Sequence, residues 1–155
     1  MTHTITLRDV IQDDLPIFFE HQLDPDALKM TAFPSRDKEA FRAHWEKIMA
    51  DETVIIKTIL FDGQAVGNIA CFEMFGKREV GYWIGKEFWG KGVASESLKQ
   101  FLDIALTRPL YAHVAKHNAA SQRVLQKFGF EIIGEDKWSP NPNEGEVEEL
   151  ILELK

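Results

Sequence analysis

The chain has 155 residues, 45% of them hydrophobic, and a formal net charge of −7. That size favours one domain with a real core, and an acidic balance with no basic cluster argues against a nucleic-acid partner. No apolar run reaches membrane-spanning or signal-peptide length, and the single cysteine, Cys71, rules out a disulfide within the chain, so a cytoplasmic protein without membrane contact is the expectation.

Taken in chain order, "ITLRDV" (residues 5–10) alternates apolar and polar residues as a half-buried strand does. "DDLPIFFEHQ" opens with acids and carries Pro16 in its first turn, which predicts a helix. "DPDALKMTAF" reads as a second helix or a turn. From Ser35, an expected N-cap, "SRDKEAFRAHWEKIMA" sets Phe41, Trp45, Ile48 and Met49 at helical spacing, and the aromatic pair reads as core. The period then changes. "TVIIKTILF" runs into Asp62-Gly63, a strong hairpin signal; "QAVGNIACFEMF" returns, Gly76-Lys77 turns, and "REVGYWIG" completes an antiparallel meander. After Gly92 the helical period resumes, with Val93, Leu98, Phe101, Leu102, Ala105 and Leu106 on one face until Arg108-Pro109. "LYAHVAK" is a strand, "NAASQRVLQKF" a helix stopped by Gly129, and "FEIIGE" and "VEELILEL" are strands flanking a loop, "SPNPNEG". One mixed sheet with helices packed on it, forming one domain over residues 1–155, fits this order.

The stretch "GKEFWGKG" (residues 85–92) is one residue short of a nucleotide-binding P-loop, with Gly92 where a Ser or Thr should ligate magnesium. Glycine offers no ligand, Phe88 and Trp89 would crowd a tight wrap, and Asp62, the one candidate for the second acid, precedes the loop and belongs to a hairpin. What survives is a strand feeding a Gly-rich turn onto a helix N-terminus, whose free N–H groups favour an anion. The pattern therefore predicts a diphosphate site that needs no metal. His113 and His117 lie on a predicted strand, about 13 Å apart, and form no metal site.

Two motifs carry a family resemblance. "EVGYWIGKEFWGKGVASESL" resembles the acetyl-CoA loop of the Gcn5-related N-acetyltransferases (GNAT), and "HNAASQRVLQKFGFEIIGE" resembles their second motif, N-x-x-S-x-x-x-L-x-K-x-G-F. Both stand in the family's order, and the combination W-G-x-G-x-A-x-E with N-x-x-S is most similar to the RimJ/RimL-type branch. The resemblance spans residues 78–135 by motif and residues 1–77 by element order. Where the family's loop signature begins with Gln or Arg, this chain has Glu87, which is expected to face solvent. The resemblance implies an α+β fold, a single mixed, mostly antiparallel seven-stranded sheet with helices on both faces, the acyl-CoA N-acyltransferase fold. It also implies acetyl-CoA as co-substrate, with no metal.

The same resemblance assigns roles. Trp83 and Ile84 lie on the strand whose backbone pairs with the pantetheine arm. Trp89, Gly90, Lys91, Gly92, Val93 and Ala94 form the pyrophosphate loop, and Asn118 serves both as N-cap and as a pantetheine contact. Ser121 matches the branch's Ser beside the CoA sulfur; it suits a hydrogen bond to sulfur, directly or through a held water, better than a full proton donation. Other branches place a Tyr four residues later, and here that position is Leu125. Glu79 and Glu73 are the candidate bases. Cys71 lies outside both motifs, so direct attack on the thioester is expected, with a strand N–H stabilising the oxyanion.

The acceptor is expected between residues 13–50 and the loop at Ser139 to Gly145. At pH 7 an α-amine costs about 1.4 kcal/mol to deprotonate and a lysine amine about 4.6 kcal/mol, so the lack of an obvious strong base leans towards a peptide or protein N-terminus. A small polyamine or antibiotic is the alternative; Asp13, Asp14, Asp24, Asp26, Glu144 and Glu146 would suit a polycation if they face the cleft. A non-catalytic acyl-CoA-binding module on the same fold is a further alternative. Monomer and homodimer are both compatible with the sequence.

Overall fold

β-Branched residues fill the middle of the chain, and there the backbone runs extended through three consecutive strands. The computed structural model describes residues 3–30, 35–138 and 146–155. Its strands are β1 (Ile5–Asp9), β2 (Ile55–Phe61), β3 (Gln64–Met74), β4 (Lys77–Ile84), β5 (Leu110–Ala115), β6 (Glu131–Trp138) and β7 (Val147–Leu154). They form one seven-stranded sheet in the order β1-β2-β3-β4-β5-β7-β6. All neighbours are antiparallel except β4 and β5, which run parallel and meet at the single register pair Glu79↔Tyr111. The helices are α1 (Leu15–Gln22), α2 (Pro25–Lys29), α3 (Lys38–Ala50), α4 (Val93–Leu102) and α5 (Ala119–Lys127). The α+β architecture expected from the motifs is the one observed.

Alternation along the strands builds two cores. Ile55 and Ile59 face a large cluster with Ile69, Val80, Ile84, Leu98, Phe101, Leu110, Leu125 and Leu152, under α4 and α5. Ile56 points the other way, onto Phe18, Phe41 and Trp45 of α1 and α3. α1 is further tied down by Asp14, which is 2% exposed. Its carboxylate accepts two bonds from Arg8 (2.7 and 2.9 Å), one from Thr58 Oγ1 (2.6 Å) and one from the Ile11 amide (3.0 Å). Burial alone would raise the Asp14 pKa; these four donors, Arg8 foremost, outweigh it and hold the group below the ordinary carboxylate value.

Three local expectations need correction. The N-cap of α3 is Asp37, whose Oδ1 accepts from the Ala40 amide at 2.8 Å, and not Ser35. The side chain of Gln22 clamps both backbone groups of Arg36 (2.6 and 2.9 Å), holding that segment extended, so the helix starts only beyond it. The β3–β4 turn is made by Phe75 and Gly76, both at positive φ (55° and 76°), and Lys77 already belongs to the strand. A two-residue hairpin needs the left-handed region at both central residues. Finally, α4 stops at Leu102 and does not run to Arg108. The Arg108 guanidinium takes the Ala105 carbonyl at 2.8 Å and reaches the Leu102 carbonyl at 3.5 Å, so these acceptors are satisfied without another turn, and Leu106 is left 73% exposed. Among the described residues no helix is long and apolar enough to cross a membrane.

Candidate active site

The site grows from the place where β4 and β5 part. Beyond Glu79↔Tyr111 the two strands share no further register pair, so the β4 edge from Val80 to Ile84 faces a widening gap. The other edge of that stretch is fully paired with β3, including Asn68↔Trp83 and Gly67↔Ile84. An extended chain could therefore add to β4 on the open side.

At the end of β4 the chain turns into α4 through Gly90 (φ 75°) and Gly92 (φ 76°). A Cβ at either would meet nothing within 4 Å, so the backbone angle, not crowding, requires glycine. Gly92 is the N-cap of α4 and offers no side chain to the first-turn amides. Those N–H groups, with the helix dipole behind them, suit an anion. The Trp89 indole donates to the Ile84 carbonyl at 2.8 Å and pins the turn to its strand. Lys91 and Glu87 are exposed, Ala94 is half-buried and Val93 is buried. The open edge, the paired left-handed glycines and the uncapped helix together fit a pantetheine diphosphate.

Strand parity then sorts the polar side chains. Val80 and Ile84 belong to the core under α4, so Tyr82 shares that face, and Glu79, Gly81 and Trp83 take the opposite one. On the α5 side, Asn118 caps the helix by accepting from the Ser121 amide at 3.2 Å and donates to the Met30 carbonyl at 3.1 Å, across from α2. His117 bonds the Lys29 carbonyl beside it. The Ser121 hydroxyl lies 2.7 Å from the Tyr82 phenol oxygen. Burial pushes the Tyr82 pKa above its ordinary value, partly offset by the bond with Ser121.

On the opposite face, Glu79 is 1% exposed and its Oε1 lies 2.9 Å from Nδ1 of His113 on β5. The approach is bent, so the contact is charge pairing more than an aligned hydrogen bond. The Glu79 carboxylate holds the His113 imidazole above its usual pKa against burial, and Glu149 and Asp136 push the same way. The exposed Phe75 ring stands 6.0 Å from the His113 ring. At the far end of β4, α1 comes close: His21 packs where a Cβ on Gly85 would sit, 2.7 Å away.

Of the candidate bases, Glu79 is thus buried at the parting of the strands. Glu73 is exposed, pairs in register with Arg78, and lies on the face away from Glu79. The acids considered for a polycation are scattered. Asp14 is held by Arg8, Asp24 caps α2, Asp26 pairs with Lys86, and Glu146 is exposed. Glu144 and the loop at residues 139–145 lie outside the described residues. Two residues escaped the sequence reading. Tyr82 sat unremarked within "GYWI", and His113 was weighed only as a metal ligand. Strand parity would have paired Tyr82 with the helix face and Glu79 with its back, but which side chains meet across strands depends on register.

Known proteins resemble this chain over most of its length. A family model described as an acetyltransferase (GNAT) domain matches residues 4–131. The uncharacterized N-acetyltransferase p20 of Bacillus licheniformis is 27% identical over 154 residues, covering 86% of this chain and 82% of that protein. YdaF of Bacillus subtilis (strain 168), provisionally named a ribosomal N-acetyltransferase, is 30% identical over 100 residues, covering 60% of this chain and 55% of that protein. A crystal structure provisionally named as a phosphinothricin N-acetyltransferase superposes with a TM-score of 0.82 at 25% identity, covering 97% of each chain. Acetyl-CoA is the donor typical of such enzymes, and amines are the typical acceptors. The chain belongs to the GNAT acetyltransferase family, in its RimJ/RimL-like group, and is an N-acetyltransferase.

Proposed function

We propose that this enzyme acetylates the α-amino group of a peptide or protein N-terminus by direct attack on acetyl-CoA. The observation that carries the reading is the pair of polar contacts on opposite faces of β4 where it leaves β5. Glu79–His113 lies on one face and Tyr82–Ser121 on the other. An acceptor on the first face and a donor on the second would meet through the gap. Acetyl-CoA supplies an acetyl thioester.

His113, the more exposed of its pair, takes a proton from the amine, and Glu79 behind it fixes the imidazole and balances the charge that results. The C–N bond forms, the C–S bond breaks with its electron pair moving to sulfur, and one amine proton ends on His113. Backbone amides at the start of α4 hold the diphosphate, and Ser121 faces the departing sulfur. Asn118, already engaged as N-cap, orients the turn that carries Ser121. Glu79 raises the imidazole towards the range of an α-amine near 8, while a lysine or polyamine amine near 10.4 would cost about 3 kcal/mol more to neutralise at pH 7. The name given to the Bacillus subtilis relative points the same way.

The test is acetyl-CoA consumption with three acceptor sets: peptides with free N-termini, their N-blocked counterparts carrying a lysine, and linear polyamines. Turnover with the first set, with the added mass on the N-terminal residue, is expected. Turnover confined to polyamines would replace this acceptor class with the other. CoA binding without turnover of any amine would leave only the binding module.

A further inference from the structure

Ser121 is restrained twice. Its backbone amide donates to the Asn118 side chain at 3.2 Å, and its hydroxyl lies 2.7 Å from the Tyr82 phenol. The first is the helix cap that any residue at this position would receive; the second engages the serine hydroxyl itself. The second comes from a different element, β4, at a position three residues beyond the last rung with β5. Each hydroxyl has one proton, so the direction of the bond matters. The phenol is the stronger acid and thus the better donor. If Tyr82 donates to Ser121 Oγ, the serine proton cannot be spent on Tyr82 and is free to point into the gap.

Tyr82 faces the same side as the uncapped start of α4, and Glu79–His113 faces the other. The leaving sulfur and the base are thereby served from opposite faces. Resting on the acetyl-transfer reading above, we infer that Tyr82 is a positioning residue that aims the Ser121 hydroxyl at the departing sulfur, so that the two act as one hydrogen-bond donor to the thiolate. No proton leaves Tyr82. Its burial makes it a weaker acid than an ordinary phenol, and a phenol is already weaker than a thiol, so proton transfer to the sulfur would run uphill. The sulfur leaves as a thiolate stabilised by the Ser121 O–H and takes its proton from solvent afterwards. The tyrosine that this chain lacks at Leu125 is not replaced by another acid; a hydrogen-bond pair stands there instead.

The test is titration of the CoA thiol bound to the protein, followed by thiolate absorbance with the desulfo-CoA complex as blank. It is run on wild type, Tyr82→Phe, Ser121→Ala and the double variant. The bound thiol is expected to titrate about one pH unit lower in wild type than in either single variant, and the double variant to match Ser121→Ala. Turnover in Tyr82→Phe should fall about tenfold with the KM for acetyl-CoA nearly kept. Tyr82→Phe keeps the ring in the core, and Ser121→Ala removes one hydroxyl from a half-buried helix position, so a thermal melt of each variant close to wild type shows that it reports on a folded protein. Equal midpoints in wild type and Tyr82→Phe, or separate and additive shifts, would overturn this inference alone. A wild type that binds no CoA would overturn it together with the acetyl-transfer reading.

Discussion

Glu79 and His113 make the pH behaviour of the enzyme testable at the level of two atoms. If His113 is the base proposed above, the imidazole, raised by Glu79 with help from Glu149 and Asp136, must be neutral to accept a proton, and kcat/KM should fall as pH drops through that raised value. Glu79→Gln removes the chief cause and leaves burial acting downward. The acid limb should then move to lower pH while the plateau drops about a hundredfold. The same pairing stabilises the fold below pH 6.5 and loses that contribution as pH rises through the elevated pKa. Glu73→Gln is the internal control: an exposed residue on the other face should leave kcat/KM within about twofold. The glycines and Asn118 were readable in sequence because their demands are local, a left-handed turn and a helix cap. The contacts of Tyr82 with Ser121 and of Glu79 with His113 were not, because each joins elements distant in the chain, and only strand pairing decides which side chains share a face.

At the scale of elements, the turn from β4 into α4 and the junction of β1, β2 and α1 carry separate predictions. Gly92→Ala forces a Cβ into a left-handed backbone at the N-cap, costing about 1 kcal/mol in stability. It should also weaken CoA binding about tenfold in a calorimetric titration, since the amides shift as the angle relaxes. Asp14→Ala strips Arg8, Thr58 and the Ile11 amide of a buried partner. A loss of about 3 kcal/mol in a urea unfolding series is expected, with the slope unchanged. The elements themselves were legible wherever period and turn chemistry agreed, as in the Asp62-Gly63 hairpin and the β7 run. Boundaries slipped where a remote side chain decided them. Gln22 delays the start of α3, and beyond the end of α4 Arg108 takes the Ala105 carbonyl and reaches that of Leu102. Neither interaction leaves a mark on periodicity.

Across the whole molecule, the sheet is two blocks of strands, β1 to β4 and β5 with β7 and β6, sharing α4 and α5 but little main-chain pairing. Helices pack on both of its faces, α4 and α5 on one and α1 and α3 on the other. A lone rung at Glu79↔Tyr111 means that, before any ligand arrives, the backbone is unstitched along the seam proposed here as the reaction site. Amides on that side of residues 80–84 should therefore exchange with deuterium quickly in the free protein and slow on addition of CoA, while β2 and β3 amides change little. Binding would then do for this sheet what an eighth strand does for others. It would zip its halves together, so that thermal resistance rises with ligand concentration and the enzyme is most rigid when it is ready to react.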